Sequence, residues 1–223
     1  MERKRLTTGI LDDESGAVLV EVTVMMTIMF VFLLGSIEFL FVFYQWNAAA
    51  KAVEIGARIA AVSDPVASGL DSIPRNVLSS SIASGSPMPD FTVSCDGGAA
   101  ACSCVSGACD GLGAYSAAAM GLIVYGRAGK ETCAPPASGY FAGMCNIDPP
   151  ITPQYVTVVY AQTGLGYAGR TPGPVPTIAV SLNAASSKTK LPFKFFFLPF
   201  ATIDIPQVTT TITGEAMSAS AAN

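Results

Sequence analysis

Three groups of residues in this chain have types and spacings from which chemistry could be built. Six cysteines, Cys95, Cys102, Cys104, Cys109, Cys133 and Cys145, fall in one stretch. Such a set can close disulfides, hold a metal as thiolates, or work as a redox pair. Residues 164–169 read GLGYAG, with the formal spacing of a dinucleotide-binding loop. Glu21 and Glu38 are the only charged residues between Ala17 and Tyr44, and the 16 residues between them contain nothing more polar than threonine and serine.

The first group favours crosslinks. The cysteines are even in number and all follow the apolar segment, as in a chain that folds in an oxidising compartment. There is no histidine to complete a mixed metal site, and Cys102-Ser103-Cys104 is CxC where a metal knuckle or thiol oxidoreductase would show CxxC. All six are therefore disulfide candidates, with no metal and no cofactor expected. Spacing does not choose the pairing, although Cys133 and Cys145 enclose a loop compatible with a bridge. A metal or iron-sulfur site is the rival reading of the cysteines, and a periplasmic thiol-redox enzyme, which would need at least one reactive pair, is a third functional reading. The glycine motif fails on its surroundings: Pro172, Pro174 and Pro176 forbid the helix that would hold a pyrophosphate, and residues 185–190 offer no acid for a ribose. It reads as a long turn between two strands. Without histidine the usual catalytic triads and the commonest general base are missing, and the outer carboxylates are scattered. The chain is not expected to be an enzyme.

The two carboxylates must be carried by an apolar helix. With 51% hydrophobic and 13% charged residues in 223, the chain is too apolar for an ordinary water-soluble domain. The run from Ala17 to Tyr44 exceeds the roughly 20 helical residues that cross a bilayer core. Phe39, Phe41, Phe43, Tyr44 and Trp46 crowd its far end, where aromatic rings meet headgroups. Arg3, Lys4 and Arg5 precede it, whereas only Lys51 and Arg58 follow closely, which places the amino terminus in the cytoplasm. A cleaved secretory signal cut near Ala48–Ala50 is the alternative, but its apolar region would be far too long. Lipoprotein processing has no cysteine before Cys95 to act on. The net charge of −4 and the confinement of the basic run to the membrane flank exclude nucleic acid as an expected partner.

Glu21 and Glu38 are 17 residues apart, about 25 Å along a helix, so each can lie near one interface and snorkel. Glu38 is read in that way, as a membrane-embedded acid. Glu21 admits a sharper reading. Cleavage between Gly16 and Ala17 would create an α-ammonium one helical turn from Glu21, and pairing the two charges in low dielectric would offset part of their desolvation and fix axial register. The amine could equally belong to a neighbouring chain.

At these residues a family resemblance appears. GAVLVEV behind a short charged leader resembles the processing site of type IV prepilins. The longer stretch from Glu14 to Val62 resembles the amino-terminal segment of TadE-like pilus-assembly proteins, pseudopilins of the tight-adherence (Flp) pilus system. Gly16 with Glu21, the Ile37-Glu38-Phe39 triplet and the Ala-rich AAAKAVEIGARIAAV carry the resemblance, and ITPQYVTVVYAQTGLGYAG continues it more weakly. It implies cleavage at Gly16–Ala17 by a prepilin peptidase and an assembly role for Glu21. It also implies other pilins or pseudopilins and the pilus-assembly machinery as partners, and a single pass through the bacterial inner membrane with the C-terminal domain periplasmic. Two features depart from the family: Asp12-Asp13-Glu14 stand where its leaders are basic, and the proline common early in its membrane helix is missing. Val22 replaces the tyrosine of the related major pilins, which favours a minor or accessory component. The alternative function is an uncleaved single-pass scaffold of a secretion or pilus-assembly complex, acting by protein contacts only.

The expected fold is α+β: a long N-terminal transmembrane and stalk α-helix, then a small extracytoplasmic domain with an antiparallel sheet and disulfide-stabilised loops. The divisions are a leader over 1–16, a transmembrane helix over 17–44, a helical stalk over 45–63 and a periplasmic α+β domain over 64–223. In the stalk, Ala49, Ala50, Val53, Ala57, Ala60 and Ala61 recur at helical spacing, and Ser63-Asp64-Pro65 ends the helix. Such a small-residue stripe suits either close approach of a filament neighbour or packing on the chain's own domain. Beyond it we expect a short helix near 74–82, a strand in DFTVSC, a helix ending near Gly126, and strands in QYVTVVYAQ, TIAVSLN and DIPQVTTTITGEAMS. The cysteine-rich CDGGAAACSCVSGACDG is expected to be a crosslinked loop, and LPFKFFFLPF to be core.

Overall fold

The computed structural model describes residues 14–126, 132–133, 141–171, 173–197 and 202–214. The leader through Asp13, Pro172, and the GEAMS end of the closing strand beyond Gly214 lie outside the described residues. The chain divides into two compact units: residues 1–44 with 194–201, and residues 45–193 with 202–223.

One helix, α1 (Glu14–Val62), contributes to both. In the first unit its large apolar side chains are exposed all around the axis, from Val18 through Phe30 to Tyr44. A helix that is apolar on every side needs an apolar surrounding. Its hydroxyls are satisfied internally: Thr23 Oγ1 donates to the Leu19 carbonyl at 2.7 Å, Thr27 Oγ1 to that of Thr23 at 2.8 Å, and Ser36 Oγ to that of Phe32 at 2.8 Å. Back-bonding of this kind removes most of the penalty of placing a hydroxyl in hydrocarbon.

The second unit is built on a five-stranded sheet. Its strands are β1 (Phe91–Asp96), β2 (Ala101–Gly107), β3 (Val156–Ala161), β4 (Thr177–Leu182) and β5 (Val208–Thr213), in the order β2-β1-β3-β4-β5 with every pairing antiparallel. Register aligns Val93, Tyr160, Ile178 and Ile212 in one cross-strand row and Cys95, Val158 and Val180 in the next. The alternation read from β1, β3 and β4 thus delivers a single buried face. Ala49, Ala52, Val53, Ala57, Ala60 and Ala61 of α1, all at most 2% exposed, share one core cluster with that face. The alanine stripe packs on the chain's own domain. Small side chains allow that approach, and at Gly56 a Cβ would stand 2.6 Å from Met144 Sδ.

Helix α1 stops at Val62, ahead of Pro65. Just beyond it, the buried Tyr160 hydroxyl accepts a hydrogen bond from the Val66 backbone N–H at 3.0 Å, tying the helix exit to the middle of the sheet. The short helix expected at 74–82 is smaller and earlier. A 3-10 turn (Leu70–Ser72) leads into α2 (Ile73–Asn76), and Ser79 Oγ accepts from the Ile82 amide, a local bond that competes with helix continuation. Helix α3 (Ala117–Tyr125) begins where Ser116 accepts from the Ala119 amide and ends at Gly126 with φ +71°. Helix α4 (Met144–Ile147) is a single turn carrying Cys145.

GLGYAG is a turn within the β3–β4 connection, with Gly164, Gly166 and Gly169 all at positive φ. The cysteine-rich segment was expected to be a loop, yet it contains strand β2. ACSCVSG lacks the β-branched alternation that marks a strand, and its pairing with β1 is fastened covalently, because Cys95 and Cys102 stand opposite each other and are joined.

Two backbone hydrogen bonds join the chain at Leu191–Phe193 to the chain at Ile203–Ile205. The Phe193 amide donates to the Ile203 carbonyl at 2.7 Å and the Ile205 amide to the Leu191 carbonyl at 2.9 Å. Buried Asn183, at φ +54°, accepts from the Leu191 amide at 2.7 Å. Its Nδ2 donates to the carbonyls of Leu191 at 2.9 Å and Ile205 at 2.7 Å. Residues 194–197 belong to the first unit.

Candidate assembly site on the apolar helix

The polar side chains between Ala17 and Phe43 are Glu21, Thr23, Thr27, Ser36 and Glu38. The three hydroxyls are paired with the helix backbone. Glu38 is 6% exposed, and its carboxylate accepts from two backbone amides, Phe196 N at 2.7 Å and Phe197 N at 3.1 Å. Charge-assisted bonds of this kind keep a buried carboxylate solvated without water. Glu38 was expected to snorkel toward headgroup water. It is instead enclosed by a segment 158 residues further along the chain. LPFKFFFLPF, expected to be core, splits: Leu191 is buried in the sheet domain, whereas Phe196 is 74% exposed and its amide serves Glu38. The Leu198–Phe200 end of that run lies outside the described residues.

Glu21 differs from the rest. It is exposed on the helix, and among the described residues no hydrogen bond or ion pair reaches it. Ala17 lies one turn before it. Gly16 is exposed on α1, with nothing within 4 Å of where a Cβ would be.

All six cysteines form disulfides: Cys95–Cys102, Cys104–Cys109 and Cys133–Cys145. The first two clamp β2 and its exit, and the third joins Cys133 to Cys145 of α4. They belong to the second compact unit, whereas Gly16, Ala17 and Glu21 belong to the first.

A helix in which an unpaired acid follows an exposed Gly-Ala bond by one turn is what sets this segment apart. Residues 16–58 match the family model for TadE-like protein. No curated protein and no solved structure matches the chain. The TadE-like segment starts at the candidate scissile glycine, contains Glu21 and Glu38, and ends at Arg58 inside the alanine stripe. Its continuous helix is long and apolar enough to cross a membrane, which suits a membrane anchor. The match supports a role in tight-adherence pilus assembly, a structural and assembly task. The link between Glu38 and Phe196–Phe197 escaped sequence reasoning. The only trace of it was a second apolar run, KFFF, bearing the same aromatic character as the end of the helix.

Proposed function

We propose that the chain is a minor pseudopilin of a tight-adherence (Flp, type IV) pilus. A prepilin-type peptidase cuts it between Gly16 and Ala17, and it is held in the bacterial inner membrane by residues 17–44 with its disulfide-bonded domain in the periplasm. The observation that carries this reading is the unpaired Glu21: it is the one polar side chain of the apolar run for which the described residues supply no partner. A carboxylate left alone in hydrocarbon costs about 2.5–3.5 kcal/mol at mid-membrane. An ammonium on Ala17, of the mature chain or of a neighbour in the assembling pilus, supplies the missing counter-charge and sets the axial register of one subunit against the next. The reading requires no catalysis by this chain. Its partners are the other pilins and pseudopilins, the assembly machinery and the peptidase.

Mass spectrometry of the protein recovered from its membranes tests it directly. An amino terminus at Ala17 is the expected result, and an intact leader beginning at Met1 refutes processing. A second reading, an uncleaved single-pass scaffold, is favoured by one feature: Asp12, Asp13 and Glu14 place acidic charge directly before the candidate bond. That reading predicts that Glu21→Gln leaves assembly intact, whereas the pseudopilin reading predicts loss of piliation.

A further inference from the structure

We propose that Phe196 and Phe197 form a second lipid-contacting element, an aromatic wedge that enters the outer interface of the bilayer and is clamped to the membrane helix by Glu38. The two rings pack edge to face with centroids 4.8 Å apart. Phe196 is 74% exposed and Phe197 39% exposed. Exposed phenylalanines in water are unfavourable, yet these two are fixed by their backbone amides to a buried carboxylate.

The arrangement makes physical sense in lipid. There, irregular backbone must find internal acceptors for its N–H groups, and an ionised carboxylate must find internal donors. Glu38 and the Phe196 and Phe197 amides satisfy each other. A loop in water would need no acid from a membrane helix to solvate its amides.

Depth agrees. Glu38 lies about 25 Å along the helix from Glu21, close to the thickness of a hydrocarbon core. Phe39, Phe43 and Tyr44, at the same end of the helix, are all exposed. The wedge residues and the apolar helix belong to one compact unit. The rings therefore continue an apolar surface already facing hydrocarbon, and the occupant that surface fits is the acyl and headgroup boundary of the bilayer.

This inference rests on the membrane reading of the helix, so the helix serves as the internal control. The full wild-type chain is reconstituted in phosphatidylcholine vesicles doped with a lipid bearing a diazirine on its acyl chain, irradiated, digested and mapped. Label is expected in residues 17–44 and also at Phe196–Phe197. A labelled helix with unlabelled phenylalanines overturns the wedge and leaves the membrane helix standing. An unlabelled helix overturns both. Hydrogen exchange in the same vesicles tests the clamp separately: the Phe196 and Phe197 amides should exchange slowly in the wild type and at least several-fold faster in Glu38→Leu. Equal exchange in the two proteins overturns the role assigned to Glu38.

Discussion

The two halves of α1 use similar apolar composition for opposite ends. Over residues 45–62 the small residues form a stripe buried in the domain core, while Lys51, Glu54 and Arg58 form ion pairs with Glu54 at the centre. Over residues 17–44 large residues face outward in all directions, and the polar groups are hidden or paired instead. The lesson is that side-chain size and polar accounting, more than hydrophobicity, separate a helix that packs on protein from one that faces lipid. A domain-facing helix needs small residues and tolerates charge on its far side. A lipid-facing helix needs every polar atom satisfied, which is why Glu21 stands out.

The largest expected departure between the halves comes from the crosslinks, which serve only the sheet domain. Replacing both Cys95 and Cys102 by serine should lower the stability of that domain by roughly 2–3 kcal/mol, as a lower Tm in detergent, without loss of helix content from residues 17–44. If helix and domain melt earlier together, the halves are not independent.

Tyr160→Phe comes next. It strands the Val66 amide in the core and should destabilise the domain by about 1–3 kcal/mol. Burial pushes the Tyr160 hydroxyl above its ordinary value, and burial, with Asp96 and Tyr125 nearby, pushes Tyr115 up to about 12. Raised phenol pKa values stabilise the fold fully below about pH 10, where the unfolded groups are still protonated. The stabilisation is lost as pH climbs from about 10 toward 12 and beyond. Alkaline titration should show that loss in the wild type and a shallower one in Tyr160→Phe.

A matched pair of overpacking and truncation tests the halves more finely. Ala57→Leu forces new methylenes into the stripe and should cost about 1–3 kcal/mol. Leu33→Ala, on the outward-facing half, should stay within about 0.5 kcal/mol in thermal melts. Gly56→Ala against Gly35→Ala is the mildest comparison. The first pushes a methyl at the Met144 thioether and should destabilise by about 1 kcal/mol, while the second meets nothing within 4 Å and should be neutral or stabilising. Equal effects at the two glycines would erase the distinction drawn between the halves.

Much of this was legible in the sequence, because periodicity and apolar length are local signals. The membrane run, the end of α1 before Pro65, three of the five strands by their β-branched alternation, DFTVSC as a fourth, and the Gly126 cap followed from neighbouring residues. Strand β2 did not, because its alanines, glycine and serines carry no strand preference and its place is set by Cys102 meeting Cys95 across the ladder. The alanine stripe left two packings open, and only the tertiary structure chose the domain. At the candidate site, Gly16, Ala17 and Glu21 were readable because one helical turn connects them. The partner of Glu38 was not, since no pattern links positions 158 residues apart.

Asn183 has a consequence of its own. Its carboxamide bonds the main chain at both Leu191 and Ile205, two positions 14 residues apart, and so holds those two stretches together. Losing that one side chain would take a partner from the Leu191 amide and from the Ile205 carbonyl at once, so a single carboxamide keeps this junction shut.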